Sequence, residues 1–218
     1  MKPRLPPILL ASASPRRRSL LRELGVRFTV VRAVRVPEVH SEHLTARELS
    51  LVNARRKARA VAARFPGHLV IGADTLVSLG TRLFGKPGSL REARRMLETL
   101  SGRTHLVVTG VCLMRLRPYR CRQFAAVTAV SFRKLNRAAI NDYLAAVNPL
   151  DKAGAYAIQE HGTQLVRSLA GSYSNVIGLP LDPLWRVLAA WNAPGRLLRS
   201  RARPRASPSP SSKTLIDS

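Results

Sequence analysis

Ile8-Leu9-Leu10-Ala11-Ser12-Ala13-Ser14-Pro15-Arg16-Arg17-Arg18 is the stretch on which the fold turns. Its first four residues are an apolar run of strand length. Beyond it, Leu20, Leu21 and Leu24 recur at helical spacing and stop at Gly25. Ser14 suits an N-cap, Pro15 the first helical position, and Gly25 the position just past a helix end. The stretch therefore reads as a strand feeding a helix, with hydroxyls and guanidinium groups gathered at the helix start. Free backbone N–H groups and the positive end of the helix dipole favour an anion there. Arg16 and Arg17 add fork-shaped donors that match phosphate oxygens. Local chemistry leaves two readings open, a phosphate site and a capped helix with a solvated basic end.

A chain of 218 residues with 45% hydrophobic content can bury one sizeable core, or at most two small ones. Its formal charge of +25, from 37 Lys and Arg against 12 Asp and Glu, attracts polyanions. Most of these cations are arginines scattered along the chain, which argues against a dedicated nucleic-acid face. Cys112 and Cys121 flank a predicted hairpin turn at Arg117-Pro118-Tyr119 and could face each other. Two cysteines in a chain this size read as reduced core residues of a cytosolic protein. Cys and His nowhere adopt zinc-ligand spacing. The start superficially resembles a secretory signal, but Pro6 and Pro7 break its apolar run and arginines follow at once, so it reads as a first strand. No segment approaches the roughly 18 apolar residues that a membrane span needs.

Further along, Val26 to Val36 is rich in β-branched residues and predicts a second strand ending near Pro37-Glu38. Thr45 and Glu48 form a capping box for a helix to about Arg64. Lys57 lies in it and, on local grounds, is one more solvated basic residue. His68 to Gly72 reads as a buried strand that delivers Ala73-Asp74-Thr75, followed by a second strand segment, a turn at Gly80-Thr81, and Arg82-Leu83-Phe84. Asp74 interrupts an apolar run in a chain poor in acids, so it must be paired, hydrogen-bonded or metal-bound. A structural salt bridge to one of the arginines is the competing account. Ser89 and Glu92 predict another capping box, for a helix to about Leu100. Thr104–Met114 and Phe124–Phe132 predict a hairpin. Asn136 can cap a helix carrying Ile140, Tyr143, Leu144 and Val147. Gly171-Ser172-Tyr173-Ser174-Asn175 reads as a turn. Asp182-Pro183 opens a last helix with Leu184, Trp185, Leu188 and Trp191 on its apolar face. From Ala193 to Ser218, Arg, Pro and Ser dominate, with six basic residues against Asp217, and this tail is expected to be disordered. Residues 1–192 are expected to form one domain, which keeps +20 without the tail. Alternating strands and helices with one long hairpin give a mixed α/β class.

In order and spacing, these pieces resemble the Maf family of nucleotide pyrophosphatases over roughly residues 8–191. The resemblance rests on Ser12-Ala-Ser-Pro-Arg-Arg17, the Ala54-Arg-Arg-Lys-Ala58 run, Gly72-Ala-Asp-Thr75, Gly85-Lys-Pro87, Ser101-Gly-Arg-Thr-His105, Asp151-Lys-Ala-Gly-Ala-Tyr156 with Gln159, and Gly171-Ser-Tyr-Ser-Asn175 through Gly178-Leu-Pro180. It implies a single α/β domain, an elongated mixed β-sheet flanked by helices with a central cleft, of the kind also seen in inosine triphosphatases. It implies hydrolysis of nucleoside triphosphates to the monophosphate and pyrophosphate with a divalent cation, Mg²⁺ or Mn²⁺.

Carried over residue by residue, Asp74 matches the catalytic acid, acting as base for the attacking water, and with Glu38 it would hold the metal. Ser12, Arg17, Lys57 and Lys86 match the phosphate contacts. Arg16, Thr75 and Gln159 match the recognition set of the subgroup that prefers dTTP and UTP, and a Gln amide can both donate to and accept from a pyrimidine edge. The chain departs from the family pattern at Pro37, where an Asp usually precedes the Glu, at Asn53, usually Leu, and at Glu160, usually Gly. The resemblance implies a cytoplasmic enzyme with no membrane contact and leaves a homodimer open. The basic surface and tail add a non-specific nucleic-acid contact. The rival reading is an inactive Maf-fold protein serving as a basic nucleic-acid-associated or cell-division regulatory factor.

Overall fold

A computed structural model of the chain describes residues 5–34, 36–39, 41 and 43–192, and the tail expected from Ala193 lies outside them. Strand β1 (Ile8–Leu10) runs into helix α1 (Pro15–Glu23) as the opening stretch predicts. Ser14 is the N-cap, Pro15 opens the helix, and Gly25 follows its end at φ 64°. Strand β2 (Phe28–Val30) is much shorter than the strand expected over 26–36. It pairs with β1, whose ladder ends at Leu10 opposite Val30, and β-branched residues beyond a partner's end have nothing to pair with. The chain after it turns into the cleft instead, where Arg32, Ala33, Val34 and Val36 line the wall.

Helix α2 (Ala46–Arg64) starts on the expected capping box, with Glu48 N donating to Thr45 Oγ1 and Thr45 N to Glu48 Oε2. Strand β3 (Leu69–Leu79) is continuous where two segments were expected, and β4 (Arg82–Phe84) folds back on it. Helix α3 (Leu90–Leu100) has only half its expected box: Ser89 caps Glu92 N, but the Glu92 carboxylate accepts from Gly88 N at 2.7 Å, one residue too early. β5 (Thr104–Leu116) and β6 (Tyr119–Phe132) form the long hairpin, across which the Cys112 and Cys121 sulfurs stand 3.8 Å apart as free thiols. Helix α4 (Arg137–Ala146) is capped by Asn136, and a 3₁₀ turn (Ala153–Ala155) follows. A short helix α5 (Gly162–Leu165) leads into edge strand β7 (Val166–Ala170). The turn expected at 171–175 is the start of a short helix, α6 (Tyr173–Ile177), because Ser172 Oγ accepts from Asn175 N. In the last helix, α7 (Leu181–Ala189), Leu184 and Leu188 are buried but Trp185 is 43% exposed. One residue past Leu184 is a rotation of about 100°, which takes it off the buried face.

The seven strands form one mixed sheet in the order β2-β1-β3-β5-β6-β7, with β4 on the free edge of β3. Side chains alternate faces along β3. Leu69, Ile71 and Ala73 pack with Leu20 and Leu21 of α1 and Leu184 and Leu188 of α7. Val70 packs with Ala54, Ala58 and Val61 of α2 on the other face. Cover on both faces explains the apolar run from Leu69 to Ala73 that precedes Asp74.

Two glycines let α2 sit directly on the sheet. A Cβ on Gly72 would lie 2.4 Å from the Ala54 carbonyl oxygen, and one on Gly110 would lie 2.5 Å from the Ser50 carbonyl carbon. Gly110 is the cross-strand partner of Asp74, so the helix backbone lies directly against the sheet beside that residue. A second feature lies on the opposite edge of β3. β1 pairs with residues 69–71 and β4 with 77–79, while β5 occupies the other edge from 70 to 78. Between β1 and β4 the edge of β3 carries no strand, and Asp74 and Thr75 sit in that gap.

Gly110→Ala is expected to destabilise the fold by about 3 kcal/mol, the upper end of overpacking penalties, because the clash is with backbone. At about 2–4 °C per kcal/mol for a chain this size, Tm falls by roughly 6–12 °C. Gly67→Ala, where an added Cβ meets nothing within 4 Å, serves as the control and stays within about 0.5 kcal/mol in the same thermal melts.

Candidate active site

The gap in the sheet edge opens a cleft of about 530 Å³, and every site residue expected from the sequence lines it. Two groups of side chains meet there, one from each face of the sheet. Asp74 shares the α2 face with Val70 and Gly72. Asn53 and Lys57 lie one helical turn apart on α2, so they share its face toward the sheet. Lys57 Nζ lies 2.6 Å from Asp74 Oδ1 and 2.8 Å from Glu38 Oε1, binding both carboxylates at once. Asn53 Nδ2 donates to Asp74 Oδ2 at 3.3 Å and to the Val39 carbonyl, while Val39 N donates to Asn53 Oδ1 at 2.8 Å. One amide thus ties the loop carrying Glu38 to the Asp74 carboxylate. The salt bridge weighed for Asp74 exists, but its partner is a lysine.

Thr75 points the other way, toward α1. Arg17 donates from Nη2 to Thr75 Oγ1 and from Nε to the Gly178 carbonyl, both at 2.9 Å, and from Nη1 to Ser12 Oγ at 3.5 Å. Burial lowers the Arg17 pKa, against the raising effect of the Asp74 and Glu38 charges. Gly178, at φ 122°, leaves room for this guanidinium: a Cβ there would stand 3.3 Å from Thr75 Oγ1 and 3.4 Å from Arg17 Nε.

Arg16 is engaged with Asp151, through Oδ2 at 2.9 Å and the backbone carbonyl at 3.1 Å. Asp151 and Glu160 also hold Lys152, which is 5% exposed, at 2.8 and 3.2 Å. Lys86 and Gln159 are exposed on the cleft wall, and their side chains bond to no other described residue. Sequence reasoning assigned no role to Asn53, Asp151 or Lys152. Asn53 had a legible signal, a polar residue four positions before Lys57 on the inner face of a helix. Asp151 and Lys152 sat in a family motif without a role, because the Arg16 guanidinium that Asp151 binds lies 135 positions away in the chain.

Among the described residues no group of three or more His, Cys, Asp or Glu side chains converges as a metal cage. Glu38 and Asp74 do converge on one cation, the Lys57 ammonium. Two carboxylates completed by phosphate oxygens and water form a donor set that suits Mg²⁺. Among the described residues no helix is long and apolar enough to cross a membrane.

A family profile described as Maf-like protein matches residues 7–191. The chain belongs to the Maf family. Three relatives named dTTP/UTP pyrophosphatase are similar over most of their length. The Moorella thermoacetica protein is 48% identical over 84% of this chain and 93% of its own. That of Thermococcus kodakarensis is 45% identical over 83% and 94%, and that of Akkermansia muciniphila 44% over 84% and 96%. The family resemblance read from the motifs is therefore borne out.

In this Maf chain two cleft carboxylates, Glu38 and Asp151, are shifted by the fold. Burial would raise the Glu38 pKa, but the Lys57 hydrogen bond and the charges of Lys57, Lys86 and Arg17 outweigh it and hold the carboxyl below its ordinary range. Asp151 behaves alike, burial being outweighed by Lys152 and Arg16. A carboxylate whose folded pKa is depressed stabilises the fold above its unfolded pKa, and that stability is lost as the pH falls through the folded value. Stability is therefore expected to decline as the pH drops below about 4. Lys57→Met, which leaves the buried Asp74 charge unpaired, costs about 3 kcal/mol at pH 7 and flattens this acid limb. Denaturant titrations of both proteins across a pH series read the two effects.

Proposed function

We propose that this chain hydrolyses nucleoside triphosphates, dTTP and UTP in preference, to the nucleoside monophosphate and pyrophosphate. The observation that carries the reading is one cleft that gathers a carboxylate pair, Asp74 and Glu38, with Lys57, Lys86 and the arginines Arg16 and Arg17 at the start of α1. Relatives named for this activity share 44–48% of their residues with it. Hydrolysis of the α–β anhydride needs an activated water and cations around the spreading negative charge. Asp74 takes the proton from that water, whose oxygen attacks one phosphorus of the α–β linkage, and the anhydride bond breaks to give the monophosphate and pyrophosphate. Ser12, Arg17, Lys57 and Lys86 hold the phosphates. Glu38 and Asp74 would hold a divalent cation, Mg²⁺ or Mn²⁺, which when bound would supply charge stabilisation on the phosphoryl oxygens. Arg16, Thr75 and Gln159 face the base. The same reading places the protein in the cytoplasm as a soluble enzyme. An inactive basic scaffold is not favoured, because it gives the converging cleft residues no work.

Pyrophosphate release from a panel of nucleoside triphosphates with Mg²⁺ or Mn²⁺ tests the reading. Turnover is expected to be highest on dTTP and UTP and weaker on purine triphosphates, and equal or faster turnover of 7-methyl-GTP would overturn the substrate class. Asp74→Asn keeps the side-chain volume and is expected to lower kcat by at least about 10²-fold with the circular dichroism spectrum unchanged.

The basic body and tail bind polyanions loosely and without sequence preference. A chain ending at Asn192 is expected to keep full turnover while its binding to duplex DNA weakens and its salt dependence becomes shallower. Unchanged DNA binding by the shortened chain would remove the tail from this contact.

A further inference from the structure

A chain of hydroxyl groups runs from the cleft into the core, and its hydrogen atoms can point only one way. At its outer end, the Arg17 guanidinium is a pure donor, and Nη2 donates to Thr75 Oγ1 at 2.9 Å. At its inner end, the Asn175 backbone carbonyl is a pure acceptor, and Thr109 Oγ1 donates to it at 3.0 Å. Between them Thr75 Oγ1 and Thr109 Oγ1 lie 3.0 Å apart. Each hydroxyl owns a single hydrogen. Thr109 has spent its hydrogen on Asn175, so the one shared between the two threonines comes from Thr75. Thr75 then has none left. One of its lone pairs takes the Arg17 hydrogen, the other accepts from no described residue, and Thr75 lines the cleft.

The inner end is firmly fixed. Thr109 and Asn175 are fully buried, and Asn175 Nδ2 donates to the Val107 carbonyl and to Thr128 Oγ1, both at 3.0 Å. Thr109 lies opposite Thr75 in the β3–β5 register, so the ladder holds the two hydroxyls face to face.

We infer that Thr109 is a positioning residue that makes Thr75 an acceptor-only reader of the base and so favours uracil and thymine over cytosine. The inference rests on the proposed pyrimidine triphosphate activity. Uracil and thymine present an N3–H donor between two carbonyl acceptors, and cytosine presents a bare N3 acceptor. A hydroxyl that can only accept pairs with the first edge and opposes the second. A buried polar group left facing a like group is costly, which is why a hydrogen-bond reader discriminates well.

Thr109→Val keeps the side-chain shape and removes the acceptor that occupies the Thr75 hydrogen, so Thr75 becomes free to donate. Thr109→Ser keeps the hydroxyl. The readout is the dissociation constant of non-hydrolysable α,β-imido UTP and of its CTP counterpart, measured by calorimetry with Mg²⁺ on the full chain. The wild type and Thr109→Ser are expected to prefer the UTP analogue by about 10-fold or more. In Thr109→Val the ratio is expected to collapse toward unity, chiefly by a gain for the CTP analogue. A purely structural role for Thr109 weakens both analogues equally and leaves the ratio unchanged, and that result overturns the inference. So does a wild type that binds both analogues alike. If Thr109→Val does not fold, Thr109→Cys, whose sulfur is a poor acceptor, is expected to give an intermediate ratio, and a wild-type ratio there is equally contrary. Binding of neither analogue, with no triphosphate hydrolysed, is instead the failure of the activity itself.

Discussion

Helix α2 rests on the sheet through backbone contact at Gly72 and Gly110, and the rest of the cleft depends on that closeness. A side chain at either glycine would hold the helix away by the thickness of a methyl group. Lys57 and Asn53 would then stand off from Asp74, and a carboxylate on a strand buried on both faces would lack its partners. An unpaired buried charge costs several kcal/mol, so the approach of the helix and the presence of the aspartate are one design. The capping box at Thr45 and Glu48 starts the helix at the register this contact needs.

The cleft exists because β1 is short. Ladder pairing stops at Leu10 and resumes on the same edge of β3 only with β4, which leaves the stretch around Asp74 and Thr75 open. Strand alternation then divides the labour. Asp74 faces α2, with its lysine and amide, while Thr75 faces α1, with Arg17. Adjacent residues on one strand thus serve opposite walls, the carboxylate pair on one side and the arginine-bearing helix start on the other. Charge is balanced locally in this strongly basic chain: Lys57 sits between two carboxylates, and Arg16 and Lys152 lie between Asp151 and Glu160. Lys86 and Gln159, on the wall, form no hydrogen bond or ion pair with another described residue.

Departures from the family pattern gain a physical sense. Asn53 stands where a leucine is usual, and its amide is fully used, bonded to both backbone groups of Val39 and to Asp74. Glu160, where a glycine is usual, joins the network that holds Lys152 and lies 3.9 Å from Arg16.

Sequence alone determined the elements whose signals are local. Ser14, Pro15 and Gly25 marked α1, Thr45 and Glu48 marked α2, and the apolar run from His68 to Gly72 marked a buried strand. Ordered motifs identified the family and pointed to nine of the residues that line the cleft, from Ser12 to Gln159. Local signals failed where a partner was needed. The strand expected over 26–36 ended after Val30 because its neighbour ended, and Trp185 turned outward because burial depends on which face of α7 meets the sheet. Tertiary structure alone decided that Lys57 binds Asp74 and Glu38 together, that Arg16 meets Asp151, and that Thr75 gives its hydrogen to Thr109. Such pairings join residues from 17 to 135 positions apart, and only the stacking of helices on a particular strand order brings them within bonding distance.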